Sequence, residues 1–403
     1  MNSINGIDSK KCFGCTACVA ECPKSAIRMA SNDHGFLVPE VDETLCVDCG
    51  LCKKVCPALY ERKEDDCSET TFYSFRNPRT DRLYNSTSGG VFSYLVDSVK
   101  PDAVCGCVYE NKTVKHIIGK DESAIKKMMR SKYVQSNVGD CFKEIRSLLE
   151  KGKTVLFSGT SCQVQGLNNY LSINNVDSNN LITLDIICHG VPSPKVYSDY
   201  LAFYESKKKC KVYDHIFRSK KYGWGNEVGV LNYMQTIITD KGIDNKSFEA
   251  NLYQNVFFSD YCTRERCFSC PFTTVNKPAK ISMGDFWGVS SVFKGNYADG
   301  CSLVMVRDDK IAKIFDGNVG AERVLQEYCE TIKKNQPRLM SPTKRPSRYD
   351  FFWEDYENMS FQDLAKKYFR YTKTNKVLYF FFIICIKLKI NKLAKKIARK
   401  VFI

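Results

Sequence analysis

The chain has 403 residues, of which 43% are hydrophobic and 26% charged, and a formal net charge of +15. This is an ordinary globular composition, and the length excludes the class of small proteins built on disulfides. The cysteine count of 21 is nevertheless high. Because the N-terminal residues MNSINGIDSKK contain no apolar run, we expect no signal peptide and a reducing cytoplasm. Cysteines there serve as metal ligands, redox groups or buried apolar side chains.

The strongest signal is a cysteine run that occurs twice before residue 60. Both copies read C-x2-C-x2-C-x3-C-P, and they end at Cys22-Pro23 and Cys56-Pro57. This is the run of bacterial two-cluster ferredoxins, in which the fourth cysteine binds the other cluster. It predicts one [4Fe–4S] cluster on Cys12, Cys15, Cys18 and Cys56, and a second on Cys46, Cys49, Cys52 and Cys22. Two zinc sites are the alternative, which the C-P at the fourth position disfavours.

Residues 61–70 are charged and aperiodic, which indicates a linker, and Cys67 within it is interpreted as incidental. Beyond the linker, short β-rich runs alternate with helical patterns and predict an α/β domain. Residues 87–100 predict a helix with Ser88 as its N-cap. Gly89 and Gly90 would let backbone N–H groups approach an anion there, although the triplet could also be a bare turn.

Three later segments, 154–167, 181–194 and 280–288, each predict a strand that runs into a turn. Cys162 and Cys188 follow the first two strands, at the carboxyl ends where open α/β sheets bind ligands. Each of them could equally be a buried structural cysteine. Together with the C-x-x-C pair Cys267 and Cys270, they make the four ligands that a closed metal centre needs.

Seven stretches of the main domain carry a resemblance to a known family. They are SGGVFSYL (88–95), SKYVQS (131–136), FSGTSCQVQGL (157–167), DIICHGVPSP (185–194), FRSKKYGW (217–224), RCFSCPF (266–272) and ISMGDFWG (281–288). With the N-terminal run, the chain resembles the coenzyme F420 hydrogenase/dehydrogenase beta-subunit family, in the version with a fused ferredoxin domain. The resemblance covers roughly residues 72–310 and leaves the substrate open.

The resemblance implies a flavoprotein with a third [4Fe–4S] cluster beside an FAD. It implies Cys162, Cys188, Cys267 and Cys270 as the ligands of that cluster, with Cys262 as the rival ligand. The residues expected to cradle the flavin are Ser88, Gly89, Gly90, Lys132, Tyr133, Gly159, Thr160 and Gln163. His189 is the candidate catalytic residue, as a proton donor or as a partner of the flavin or a cluster sulfur. The alternative is a structural histidine satisfied by backbone groups.

The positive charge is concentrated at the C-terminus. Residues 361–403 hold twelve lysines and arginines and a single acidic residue, Asp363. The apolar run from Val377 to Ile386 is too short to span a bilayer, and the lysine-rich residues after it have the pattern of a basic amphipathic helix. We expect residues 375–403 to attach to an anionic membrane surface and to be dispensable for the fold. The alternative is a helix docked on the protein's own core.

The expected fold class is α/β (α+β overall). The expected division is a 2[4Fe–4S] ferredoxin-type domain at 1–60, a linker at 61–71, a flavin and iron–sulfur domain at 72–340 and a helical basic tail at 341–403. Within the main domain, the N-terminal part is about 72–150 and the C-terminal part about 151–310.

The predicted function is electron transfer between clusters, a flavin and a hydride-exchanging substrate. The alternative is an electron-transfer module without its own substrate pocket, serving a partner enzyme. The expected partner is a redox protein or a small hydride carrier, and no motif indicates nucleic-acid binding.

Overall fold

The computed structural model describes residues 3–61, 64, 66–224, 234–388 and 390–402. Its strands fall into a two-stranded, a three-stranded and an eight-stranded sheet. The strands are β1 (Ile27–Ser31), β2 (Leu37–Val41), β3 (Thr71–Phe75), β4 (Ala103–Glu110), β5 (Thr113–Gly119), β6 (Val155–Gly159), β7 (Leu181–Ile186), β8 (Val212–Ile216), β9 (Thr236–Thr239), β10 (Gly242–Asp244), β11 (Ile281–Asp285), β12 (Ser302–Val306) and β13 (Ala321–Val324).

Helices cover the large sheet and form the C-terminal part of the chain. The α-helices are α1 (Ala17–Glu21), α2 (Leu51–Lys54), α3 (Thr80–Tyr84), α4 (Val91–Val99), α5 (Glu122–Met128), α6 (Cys141–Glu150), α7 (Ser161–Ile173), α8 (Pro194–Lys208), α9 (Phe248–Phe258), α10 (Asp309–Phe315), α11 (Cys329–Asn335), α12 (Tyr349–Asn358), α13 (Phe361–Tyr368), α14 (Lys373–Lys387) and α15 (Asn391–Phe402). The mixed α/β class expected from the sequence is therefore confirmed.

The eight-stranded sheet has a parallel centre and antiparallel edges. Its strand order is β13-β3-β12-β11-β7-β6-β4-β5. Strands β11, β7, β6 and β4 run parallel, whereas β12, β3, β13 and β5 join by antiparallel pairing. The central strands are buried on both faces, which is why their sequences read as continuous apolar runs rather than as alternating ones.

The N-terminal segment is docked on the main domain by specific polar contacts. The Arg264 guanidinium donates to the carbonyl of Cys12 at 2.7 Å and to that of Leu37 at 3.1 Å. The His34 ring stacks on Trp353, with ring centroids 3.9 Å apart. These contacts connect residues more than 200 positions apart in the chain, so they set the position of the two N-terminal cysteine runs relative to the large sheet.

The C-terminal helices are part of the core on one side. Buried Tyr379, Phe382 and Cys385 of α14 and buried Ala394 and Ala398 of α15 belong to the same apolar cluster as α8 and α9. One face of these helices therefore docks on the protein's own core, as the alternative interpretation of residues 375–403 proposed. The expectation that the fold does not need residues 375–403 is wrong. Lys389 and the side chain of Lys392 lie outside the described residues.

Polar bonds from α9 hold the same helices. Asn255 Nδ2 donates to the carbonyls of Phe369 and Val401, at 3.0 and 3.1 Å. Asn251 Nδ2 donates to the Tyr379 hydroxyl at 2.9 Å. Both asparagines are buried, so removal of α14 and α15 would take one hydrogen-bond partner from each of them and expose the apolar cluster.

Two local predictions need correction. Cys67 is not incidental, because it forms a disulfide with Cys329 at the start of α11. Ser88 is not the N-cap of α4: that position belongs to Gly90, with a φ of +83°, and the Ser88 hydroxyl donates to the Cys301 carbonyl at 2.8 Å. Only a residue that tolerates the left-handed region suits this cap, which favours glycine.

Two adjacent phenylalanines of α14 test the docking of the C-terminal helices. Phe382 is fully buried, whereas Phe381 is 52% exposed. We expect Phe382→Ala to lower the free energy of unfolding by about 3–5 kcal/mol, because it leaves a cavity in a packed core. Phe381→Ala should change it by less than about 1 kcal/mol. Urea denaturation of the two variants measures the difference, and equal effects would contradict the docking.

Candidate functional site

The cysteines of the N-terminal segment gather around two cavities. Cys22, Cys46, Cys49 and Cys52 line one of them. Cys12, Cys15, Cys18 and Cys56 line the other, which has a volume of about 380 Å³. Each set thus takes its fourth member from the other cysteine run, in the crossed arrangement that the run predicts. That these sets hold clusters stays a prediction.

Backbone amides point at sulfurs in both sets. The Gly14 amide donates to Cys12 Sγ at 3.2 Å, and the Ala26 amide donates to Cys22 Sγ at 3.3 Å. Such bonds stabilise the thiolate form of a ligand and influence the reduction potential of a bound cluster. The left-handed turns at Thr16 and Gly50 then start α1 and α2, which carry Cys18 and Cys52.

The third set of cysteines lies at the carboxyl edge of the large sheet. Cys162 is in the first turn of α7, immediately after β6, and Cys188 follows β7. Cys267 lies in a 3-10 turn spanning Glu265–Ser269, and Cys270 follows it. At Gly190, with a φ of +136°, an added Cβ would lie 3.4 Å from Cys267 Cβ, so the two loops pack against each other there.

Electrostatics shows that these four thiols are close together. Burial, with repulsion from the neighbouring Cys270 as a smaller cause, raises the pKa of Cys162 to about 12 and that of Cys188 to about 11. Burial, and then Cys188 and Cys270, also hold the pKa of Cys267 well above its usual value. Four thiols this close together lose their protons with difficulty, because the negatively charged thiolates would repel one another. Bound metal cations would offset that repulsion.

Cys262, the rival ligand, lies elsewhere. It is fully buried in the apolar cluster of α8 and α9, and its thiol donates to the Val256 carbonyl at 3.5 Å. Burial raises its pKa, with a further increase from Asp260 rather than from another cysteine. The structure therefore does not bring Cys262 to the other four.

The described cysteines do not form a single-ion site as they stand. Within the described part of the chain, no three His, Cys, Asp or Glu side chains lie close enough together to hold one metal ion. The prediction of clusters rather than zinc therefore rests on the two C-x2-C-x2-C-x3-C-P runs.

A cavity of about 420 Å³ adjoins the third set, and Cys162 and Cys188 form part of its wall. Six of the seven stretches that carry the family resemblance contribute to its lining, and the seventh supplies Cys267 and Cys270. Segments that are far apart in sequence therefore meet around one space. Its wall also includes the aromatic rings of Phe257, Phe258 and Trp287.

The structure brings together most of the residues that the sequence assigned to a flavin. Seven of them line this cavity: Ser88, Gly90, Lys132, Tyr133, Gly159, Thr160 and Gln163. Gly89 is not part of the lining, and its amide donates to Ser302 Oγ at 2.8 Å. A Cβ there would lie 2.0 Å from the Phe75 carbonyl oxygen. Gly89 is required for close packing of the turn on β3 and β12, not for approach to a ligand.

Lys132 and Gln163 have structural partners already. Lys132 Nζ donates to the carbonyls of residues 127–130 at 2.7 to 3.2 Å, and so caps the end of α5. Burial lowers the pKa of Lys132 to about 8. Gln163 Oε1 accepts from the Thr160 amide at 2.9 Å and thereby closes the first turn of α7. Both residues shape the wall of the cavity through these bonds.

His189 faces the cavity from the loop after β7. Its Nε2 lies 3.0 Å from Asp260 Oδ1, and its ring packs against Phe257 with centroids 5.2 Å apart. A neutral imidazole that donates from Nε2 to the carboxylate keeps Nδ1 as an acceptor. The Asp260 carboxylate thus fixes the orientation of the ring at the cavity wall.

A buried ion pair joins two of the family stretches. Arg218 Nη1 lies 2.6 Å from Asp285 Oδ2, and both side chains are almost completely buried. The Trp224 indole donates to Asp285 Oδ1 at 2.8 Å, and Gln336 Nε2 donates to the Asp285 carbonyl at 2.7 Å. Sequence reasoning missed this pair, because neither residue has a local partner in the chain.

Comparisons with known proteins agree with this geometry. Residues 152–330 match the family model for the C terminus of the coenzyme F420 hydrogenase/dehydrogenase beta subunit, and residues 11–59 match the "4Fe-4S dicluster domain". Residues 152–330 are thus similar to the C-terminal domain of the coenzyme F420 hydrogenase/dehydrogenase beta subunits. The resemblance found in the sequence is thereby confirmed, and an oxidoreductase role with [4Fe–4S] clusters is supported.

A solved structure also resembles this chain. It belongs to the work titled "Xenon derivatization of the F420-reducing [NiFe] hydrogenase complex from Methanosarcina barkeri". The match has 16% identity and a TM-score of 0.42, and it covers 67% of this chain and 88% of the other. No curated protein matches the sequence.

The large cavity has the features of a site for a large anionic cofactor. The N-termini of α4 and α7 both lie at its wall, where free N–H groups favour anions. His116 Nδ1 and Gln135 Nε2 are buried there without a hydrogen-bond partner among the described residues. Buried polar atoms seldom stay unpaired, so both are suited to a bound group. The residues present therefore fit a flavin.

The third cysteine set can be tested by iron content. Three sets of four cysteines predict roughly twelve irons per chain of the fully loaded protein. The double variant Cys267→Ala with Cys270→Ala should lose about four of them, since it removes half of one ligand set. Iron and acid-labile sulfide assays measure the loss.

Cys262→Ala is the control, because Cys262 is near Cys267 in sequence but is fully buried in the apolar cluster, outside the set. It should keep the full iron content. Loss of iron in the control, or none in the double variant, would contradict the ligand assignment.

Proposed function

We propose that this protein is an iron–sulfur flavoprotein oxidoreductase. It passes electrons between ferredoxin-type [4Fe–4S] clusters, a flavin and a hydride-exchanging substrate or cofactor. The observation that carries the proposal is the contiguity of the sites: Cys162 and Cys188 belong both to the third cysteine set and to the wall of the large cavity. FAD is the form of flavin that the family resemblance implies.

The first cysteine set of the N-terminal segment lies directly beside the third. An added Cβ at Gly166 of α7 would lie only 3.0 Å from Cys15 Sγ, so this thiol packs on the helix that carries Cys162 in its first turn. Phe13 lines both the cavity of the first set and the large cavity. This continuous arrangement of three cysteine sets and a cavity supports electron transfer rather than three unrelated metal sites.

The chain offers different groups to the different parts of a flavin. We propose that the N-termini of α4 and α7, with Arg130 and Arg338, hold its phosphate groups. Tyr133, Phe257 and Trp287 would pack on its ring system. A bound flavin supplies the exchange between hydride transfer and single-electron transfer.

His189 is the proposed catalytic residue of this site. It combines a place in the cavity wall with a ring oriented by Asp260. In its protonated form, this ring keeps the Nε2 bond to Asp260 and can donate the Nδ1 proton to a substrate. The second role proposed for it, as a hydrogen-bond partner of a cluster sulfur, draws support from its position directly after Cys188.

An electron-transfer module serving a partner enzyme is the second candidate. It is favoured by the surface around the second cysteine set, where Cys49 is exposed and Leu45 and Val47 are 50% and 59% exposed. Apolar side chains beside an exposed ligand suit the docking of a redox protein. The large cavity is the feature that such a module would not need.

We also propose that the protein works in the cytoplasm. Twelve candidate thiolate ligands need reducing conditions until metal is bound, because free thiols oxidise elsewhere. The redox partner would be a protein at the second cysteine set or a small hydride carrier at the cavity.

Filling the cavity tests whether a flavin binds there. Ser158 is a small residue of β6 in the cavity wall. Ser158→Trp should reduce the flavin released from purified protein by at least tenfold, because the indole occupies the space of the cofactor. Ser172→Trp, at an exposed position of α7, is the control and should keep its flavin. Both variants should retain iron, and normal flavin content in Ser158→Trp would place the cofactor elsewhere.

Turnover of the isolated holoprotein separates the two candidate functions. With reduced nicotinamide or reduced deazaflavin coenzyme as hydride donor and a viologen as acceptor, we expect turnover that His189→Gln lowers about 100-fold or more. Asp260→Asn should lower it less, since it alters only the orientation of the ring. A flavin-loaded protein inert toward every hydride carrier would favour the module.

A further inference from the structure

The outward face of the C-terminal helical hairpin is an exposed apolar surface. We call it the hairpin face, and it consists of Val377, Phe380, Phe381, Leu388, Ile390 and Leu393. Phe380 and Leu388 are each 64% exposed and Val377 is 56% exposed. Surface residues of this size and number, adjacent to one another, mark an interaction site in a soluble protein.

Helix α14 is apolar on two sides. Tyr379, Phe382 and Cys385 recur at a spacing of three and are buried against the core. Val377, Phe381 and Leu388 recur at spacings of four and seven on a second side of the helix and are exposed. The core therefore accounts for only one of the two apolar stripes.

Cations border the hairpin face. On an α-helix, Lys373 lies one turn before Val377, Lys387 lies seven residues after Phe380, and Lys396 lies one turn after Leu393. These lysines are exposed, and within the described part of the chain they have no carboxylate partner at ion-pair distance. The sequence contains no acidic residue after Asp363.

We infer that the hairpin face is a docking surface for an anionic lipid membrane. Aromatic and aliphatic side chains flanked by lysines can enter the headgroup region while the ammonium groups meet lipid phosphates. The attraction is electrostatic and is added to the burial of apolar area. None of the helices in the described part of the chain combines the length and apolar character needed to cross a bilayer, so the contact lies on the surface.

A second copy of the chain suits this face less well. Symmetric pairing would bring the lysines of one hairpin toward those of the other, and residues 364–403 supply no acidic side chain to compensate. A lipid surface supplies the missing negative charge. The charge balance of the hairpin therefore favours lipid over self-association.

The docking surface is preformed. Asn255 Nδ2 holds the Val401 carbonyl, and Arg370 Nη1 donates to the Lys400 carbonyl at 3.1 Å. With α15 fixed on the core in this way, binding does not require the helices to fold at the membrane. This differs from a free amphipathic tail, which would order only on contact with lipid.

Sedimentation of the full-length holoprotein with vesicles tests the inference. The probes are vesicles of phosphatidylcholine alone and vesicles of equal parts phosphatidylcholine and phosphatidylglycerol. We expect sedimentation with the anionic vesicles only, and partial release at high salt because ions screen the attraction. Phe380→Ser with Phe381→Ser should weaken binding at least tenfold, and Lys387→Gln with Lys396→Gln several-fold.

Control variants outside the hairpin face distinguish binding by this surface from nonspecific binding to vesicles. Phe351 of α12 is 58% exposed outside the hairpin, so Phe351→Ser should bind vesicles normally. Lys310→Gln with Lys313→Gln, on α10, should do so too. All variants should keep their iron content and thermal unfolding midpoint, since the altered side chains are exposed.

Three outcomes would overturn the inference. The first is a full-length protein that does not sediment with anionic vesicles, as expected if the face binds an acidic protein instead. The second is normal binding by the double phenylalanine variant. The third is a dimer in sedimentation velocity that this variant converts to monomer, which would assign the face to a second copy.

Discussion

The parallel pairing of β6, β7 and β11 is the constraint on which the candidate site depends. Gly159 lies opposite Asp185, and Met283 opposite Ile186, so the three parallel strands end toward one edge of the sheet. Side chains that follow the strands are thereby brought to one place, although they are far apart in sequence. A register slip by one residue would turn every buried side chain of a strand to the opposite face. The burial of the sheet on both sides opposes such a slip.

The position of the N-terminal segment depends on the same edge of the eight-stranded sheet. Arg264 lies between Cys262 and the C-x-x-C pair, and its bonds to the carbonyls of Cys12 and Leu37 place the ferredoxin-type runs against α7. Gly166 permits close approach of Cys15 there, because any side chain at this position would meet the sulfur. The proximity of the cysteine sets follows from a guanidinium and a glycine, neither of which is a ligand.

Helix α14 of the C-terminal hairpin has one apolar stripe buried in the core and another exposed to solvent. Phe382 is fully buried, and its neighbour Phe381 is about half exposed. A sequence window cannot separate these sides, because the run from Val377 to Ile386 is apolar throughout. Packing on α9 selects one stripe for the core and leaves the other free for an external surface. Docking on the core and attachment to a membrane, which the sequence presents as alternatives, are therefore compatible.

The sequence by itself determined the α/β class, the family and the crossed cysteine runs, because strand and helix patterns and ligand spacing are local properties of the chain. Most of the residues that the sequence assigned to a flavin also line the large cavity, since they belong to stretches that carry the family resemblance. Only the tertiary structure decided that Gly89 packs against β12, that Lys132 caps α5 and that Arg218 pairs with Asp285. Each of these roles depends on which distant backbone or side chain a residue meets, and that is set by how the layers pack rather than by the residue's own neighbours in sequence.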